Sequence, residues 1–141
     1  MLKDFSFNTL IENIPSHNIP PTLNIVLEGG CMNGAFEIGG LMLIKQMEKQ
    51  NKLKINKISG VSVGSYAAFL YLTDNLDLYV STYNEMKCNF KNTLKLNTLY
   101  DQLKEITRNL TNKEFSSLQN NKLFISFYNI STGMQQIKQK Y

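Results

Sequence analysis

Two glycine-rich junctions, each set where an apolar run meets a helical pattern, constrain this chain more than any other feature. The first, Gly29-Gly30-Cys31-Met32-Asn33-Gly34, follows Leu23 to Leu27, a short apolar and β-branched run that suits a buried parallel strand. It opens onto Gly34 to Gln50, where Phe36, Ile38, Leu41, Leu43, Ile44 and Met47 are expected on one broad helical face. The second, Gly60-Val61-Ser62-Val63-Gly64, follows the strand-like Lys54 to Ser59. It precedes Val63 to Thr73, apolar almost all round, as a buried central helix would be. Strand, glycine loop, helix, strand, glycine turn, helix is an order that predicts an α/β fold, with a mainly parallel sheet flanked by helices.

The flanking segments are less constrained. Leu2, Phe5, Leu10, Ile11 and Ile14 fall at helical spacing before Pro15, Pro20 and Pro21, so residues 1–22 read as a docking helix plus an extended lead-in. Residues 23–141 form the domain proper. Beyond Asp74, Asp77 to Met86 and Leu96 to Leu110 show helical spacing, and Thr111 with Glu114 matches a capping box for a further short helix. Leu123 to Tyr128 is strand-like and ends at a turn over Asn129 to Gly133.

Composition narrows the function. The net charge of +4 comes almost wholly from scattered lysines, with Arg108 the only arginine, and no compact basic stripe points to nucleic acid. A mildly positive surface is compatible with peripheral contact to anionic lipid headgroups. Cys31 and Cys88 lack metal-ligand spacing and the chain has one histidine, so no metal site is expected. Two isolated cysteines fit a reducing compartment, and the longest apolar run, Val63 to Leu72, is too short to span a bilayer. A cytoplasmic protein, soluble or peripheral at membranes, is the expectation.

Gly60-Val61-Ser62-Val63-Gly64 matches Gly-x-Ser-x-Gly, a pattern that recurs by chance in roughly one chain in twenty of this length. Its position between strand and helix is what gives it weight. A serine at a sharp turn projects its hydroxyl above the sheet, beside the N–H groups that open the next helix, and small residues on either side, Gly60 and Gly64, let that turn close. The Gly29 to Gly34 loop could serve either a pyrophosphate or a tetrahedral oxyanion. The dinucleotide fingerprint needs a glycine where Cys31 stands and an acid about twenty residues on, where Lys52 to Lys57 holds none. An oxyanion loop of Gly29, Gly30, Cys31 and Gly34 is therefore the better partner for Ser62. No histidine follows Ser62, and His17 lies in the proline-flanked lead-in, which leaves a carboxylate as the base of a two-residue dyad. Asp74 and Asp77 follow the far end of the serine's helix, roughly 15 Å away, and suit capping and solvent exposure instead.

The stretch from Asn24-Ile-Val-Leu-Glu-Gly-Gly-Cys-Met-Asn-Gly to Leu41, followed by Ile58-Ser-Gly-Val-Ser-Val-Gly-Ser65, resembles the patatin-like phospholipase family. That resemblance is clear over about Leu23 to Leu72, and Asn129-Ile-Ser-Thr-Gly133 resembles a later family turn. It implies a serine acyl hydrolase of lipid esters with Ser62 as nucleophile, no cofactor, and a patatin-like α/β fold. Three departures accompany it. Cys31 stands for the third loop glycine, which is tolerable without a penalty of about 1 kcal/mol only if that position avoids positive φ. Asn33 stands for the usual basic residue, and no Asp-Gly pair occurs before Tyr141, so the family's acid is missing. A domain truncated at its C-terminus, with little turnover by this chain alone, is the expectation. A non-catalytic relative that binds acyl lipid or a partner, and a nucleotide-binding module, stay open as alternatives.

Overall fold

The computed structural model describes residues 7–15, 18–95, 97–119 and 122–139. Helix α1 (Phe7–Glu12) and strand β1 (Thr22–Leu27) lead into a 3-10 turn (Cys31–Asn33), helix α2 (Gly34–Lys49), strand β2 (Lys54–Val61) and helix α3 (Val63–Leu72). Helices α4 (Leu76–Thr93), α5 (Asn97–Asn109) and α6 (Asn112–Gln119) then precede a hairpin of β3 (Leu123–Asn129) and β4 (Met134–Gln139). The expected helix over Met1 to Ile14 is seen from Phe7; its earlier residues, and His17, lie outside the described ones.

The sheet runs β1-β2-β3-β4, parallel across the first two pairings and antiparallel across the last. The chain is thus α/β with a mainly parallel sheet. Its helices lie on one face. Ile25, Ile58 and Leu123 share that face in register and meet α3, which contributes seven buried residues of its ten. Burying a side chain the size of Val63 or Leu70 is worth about 1.5–3 kcal/mol, and the small Gly64, Ala67 and Ala68 let α3 approach its neighbours closely, so α3 is the centre of the core, as its all-round apolar sequence predicts. Outside it sits α2, and α1 is held against that layer by buried Ile11 and by Lys52, whose Nζ donates to the Ile14 carbonyl at 2.6 Å.

Several expectations need correction. Strand β1 is not buried on both sides: it is a sheet edge, and Val26 is 78% exposed on the face away from the helices. Val61, Tyr128 and Ile137 continue that uncovered face, so an apolar run alone did not distinguish a central strand from an edge. Phe36 does not share the face of Ile38 and Leu41. It is 85% exposed, because two residues along a helix rotate about 200° and carry it to the opposite side. Helix α4 runs seven residues past Met86, to Thr93, where Leu94 takes a left-handed φ of 55°. Its second half carries no apolar stripe, so periodicity did not register it.

The capping box ahead of α6 is present in both directions: the Thr111 N–H donates to Glu114 Oε2 at 2.8 Å, and the Glu114 N–H to Thr111 Oγ1 at 3.3 Å. The turn after β3 closes through Asn129, whose Oδ1 accepts from the Ser131 N–H at 3.0 Å, and through Gly133 at φ 64°.

Candidate active site

Ser62 occupies the one residue between β2 and α3, with φ 54° and ψ −124°. That conformation lies outside the left-handed helical well and costs a side-chain-bearing residue about 1–3 kcal/mol. The local sequence enforces it. A Cβ on Gly60 would lie 2.4 Å from the Gly64 carbonyl carbon, and one on Gly64 would lie 2.6 Å from the Glu28 carbonyl oxygen. Backbone obstructs both positions, so the turn closes this tightly only with glycine at each. Ser65, one turn into the helix, adds a tie: its Oγ donates to the Gly60 carbonyl at 2.7 Å. Ser62 itself is exposed, and its hydroxyl has no hydrogen-bond partner among the described residues.

The glycine loop packs directly on this turn. A Cβ on Gly29 would fall 3.3 Å from Ser62 Cβ, and one on Gly34 would overlap Val63 Cγ2 at 2.4 Å. The loop closes on itself through the Asn33 N–H, which donates to the Gly30 carbonyl at 2.9 Å. Cys31 adopts φ 51°, so the condition for avoiding a penalty is not met, and the loop carries a second strained side-chain-bearing residue. All the sequence-selected residues, Gly29, Gly30, Cys31, Gly34, Gly60, Ser62 and Gly64, therefore gather around one turn. At the positive end of α3, whose first N–H groups have no partner within the helix, a developing anion beside Ser62 would be stabilised.

Glu37, in the first turn of α2, closes the loop from behind. Its Oε1 accepts from the Glu28 N–H at 2.8 Å, while its Oε2 is buried with no partner among the described residues. Burial pushes this carboxyl above its ordinary range, opposed by the Glu28 amide and reinforced by the Glu28 charge.

Beside Ser62 lies a cavity of about 310 Å³, lined by Cys31, Met32, Val63, Phe69, Tyr79, Met86, Leu99 and Leu103 among others. Its wall is almost wholly apolar, the composition that buries a hydrocarbon chain. Ser62 and Cys31 are exposed at one side, whereas Tyr66, Tyr79 and Met86 are buried. Behind the wall, Tyr66 donates its hydroxyl to Gln102 Oε1, the Gln102 amide donates to Thr82 Oγ1, and Thr82 donates to the Leu78 carbonyl at 2.6 Å. Burial drives the Tyr66 phenol well above its usual range, and that of Tyr79 to about 12. None of the wall residues from α4 and α5 was selected from sequence. Leu99 and Leu103 carry ordinary helical spacing, and nothing in it says that they face a serine on another helix.

The acid is less complete. Asp74 pairs with Lys45 at 3.3 Å beyond the C-terminal end of α3, and Asp77 lies in the first turn of α4, both away from the turn as their spacing predicts. No carboxylate among the described residues hydrogen-bonds to Ser62. Among those residues, too, no group of three His, Cys, Asp or Glu is placed to hold a metal ion. Comparisons with protein-family models, with curated proteins and with solved structures find no match to this chain.

Proposed function

We propose that Ser62 is the nucleophile of a patatin-like serine acyl hydrolase acting on lipid esters. The observation that carries this reading is the backbone of Ser62, held at φ 54° and ψ −124° by two glycines that admit no side chain. Strain of this kind persists at a turn where the surrounding structure enforces it, and it holds Ser62 exposed at the tip, where an ester carbonyl can approach the hydroxyl. Ser62 Oγ attacks the ester carbonyl, its proton passes to a carboxylate base, a role for which no carboxylate among the described residues is hydrogen-bonded to Ser62, and the carbonyl oxygen becomes an anion beside the Gly29 to Gly34 loop and the start of α3. Collapse expels the alcohol, which takes the proton back. Water then releases the fatty acid from the acyl-serine.

The apolar cavity beside Ser62 supports a hydrocarbon acyl group over a polar one. Contact with a lipid surface would be peripheral, since no helix among the described residues is long and apolar enough to cross a membrane. The base is the weak member. With no carboxylate bonded to Ser62 among the described residues, the chain alone is expected to turn over esters slowly, because losing one member of a nucleophile-base unit removes most of the rate. That same observation favours a second reading, a non-catalytic relative that holds acyl lipid without cleaving it.

Labelling by an alkyl fluorophosphonate, with peptide mapping and a Ser62→Ala control, separates the two. An adduct on Ser62 that the control abolishes is the expected result. An inert Ser62 in a chain that still binds fatty acid would leave the non-catalytic reading in its place.

A further inference from the structure

We infer, on the acyl-hydrolase reading of Ser62, that the adjoining cavity is a chain-length gauge for medium-chain acyl groups, with its limit set by Met86, Leu99 and Leu103. The cavity measures about 310 Å³. A methylene fills about as much space as a water molecule in the liquid, ~30 Å³, so the cavity holds an acyl chain of about ten carbons. Longer chains must leave their ends in solvent.

Burial gives the direction of entry. Ser62 and Cys31 are exposed, and an ester carbonyl can reach the hydroxyl there, while Met86 on α4 is 5% exposed and Tyr66 and Tyr79 are equally enclosed. The acyl chain therefore runs from the serine toward Tyr79 and Met86 on α4, with the partly buried Leu99 and Leu103 of α5 also lining its path. A gauge also needs a wall that does not yield. Helix α5 supplies Leu99 and Leu103 to the cavity, and Gln102, buried between them in sequence, ties α5 to Tyr66 on α3 and to Thr82 on α4. Moving α5 outward would break both bonds and strand buried polar groups, so the wall is rigid.

The test is the affinity of straight-chain fatty acids from butanoate to hexadecanoate, measured below their micellar concentrations by displacement of a fluorescent fatty-acid probe from the whole chain. Each methylene that enters the cavity is expected to raise affinity about fourfold, and the rise is expected to stop near decanoate. Met86→Ala is expected to move the stopping point outward by about three carbons, the length of side chain removed. Leu99→Phe is expected to move it inward; Leu99 is only half-buried, so this variant carries the test if Met86→Ala fails to fold. Affinity that climbs steadily to hexadecanoate, that ignores chain length, or that stops at the same length in Leu99→Phe overturns the gauge. Fluorophosphonate labelling reports separately on Ser62. A stopping point with an inert serine would keep the gauge and sink the hydrolase reading, and a reactive serine without a stopping point would do the reverse.

Discussion

The two ends of α3 are built on opposite principles. At its C-terminal end the polar groups are paired: Thr73 Oγ1 donates to the Phe69 carbonyl at 2.9 Å, the Asn75 N–H to the Leu70 carbonyl at 2.9 Å, and Lys45 Nζ to the Tyr71 carbonyl at 3.0 Å. Lys45 also reaches Asp74, and Tyr71 donates its hydroxyl to Glu48, whose other oxygen accepts from the Ile55 N–H at 2.7 Å. That end joins α2, α3 and β2. At the N-terminal end Ser62 is strained, exposed and without a partner, and the loop beside it holds Cys31 at positive φ. One end of the helix serves stability, while the other carries strain that the rest of the core must offset.

The largest effect should come from closing the strained end sterically. Gly64→Ala sets a Cβ 2.6 Å from the Glu28 oxygen and 2.8 Å from the Leu27 carbonyl carbon, both backbone, and should cost about 3 kcal/mol or more. A urea midpoint that stays put would show that the turn is looser than described.

Breaking the paired end comes next. Tyr71→Phe leaves Glu48 without its phenol donor and should cost about 2 kcal/mol by the same measurement, with Ser62 labelling unchanged in the folded fraction. The buried phenols also set an alkaline limit. Burial raises the pKa of Tyr66, Tyr71 and Tyr79, the last to about 12, so the unfolded chain loses these protons first. Stability is complete below the ordinary phenol pKa of about 10 and falls as pH rises from there through the folded values. A denaturation midpoint that is flat from pH 9 to about pH 12 would contradict that burial.

Relieving the strain should act in the opposite direction. Ser62→Gly should stabilise the fold by about 1 kcal/mol while abolishing fluorophosphonate labelling, the trade expected where function holds a residue off its preferred backbone. A destabilised Ser62→Gly would mean that the serine side chain contributes more to packing than its exposure implies. The smallest effect belongs to Asp74→Asn. Its carboxylate is 66% exposed and its ion pair with Lys45 is screened, so the change should stay below about 0.5 kcal/mol.

Much of the strained end was legible in the sequence because its cause is local. Gly-x-Ser-x-Gly specifies a turn by steric exclusion between residues four apart, and it falls where a β-branched run gives way to an apolar helix. The capping box of α6 was legible for the same reason, with Thr111 and Glu114 satisfying each other across three residues. The cavity was not. Leu99, Leu103 and Met86 obey ordinary helical patterns, and only the return of α5 across α4 and α3 turns them into a wall around Ser62. The strand β4 was missed because Gln135, Gln136 and Gln139 give no apolar alternation; its pairing comes from the turn at Asn129 to Gly133.

The order of elements as far as β3, the burial of α3 and the identity of the residues at the turn were readable from the chain itself, since each follows from periodicity or from contacts between near neighbours. Packing between distant elements made β1 an edge, held Cys31 at positive φ and left an apolar space of about 310 Å³ beside the serine. Those outcomes depend on how distant elements pack, and no residue pattern within one element records which neighbour will cover it.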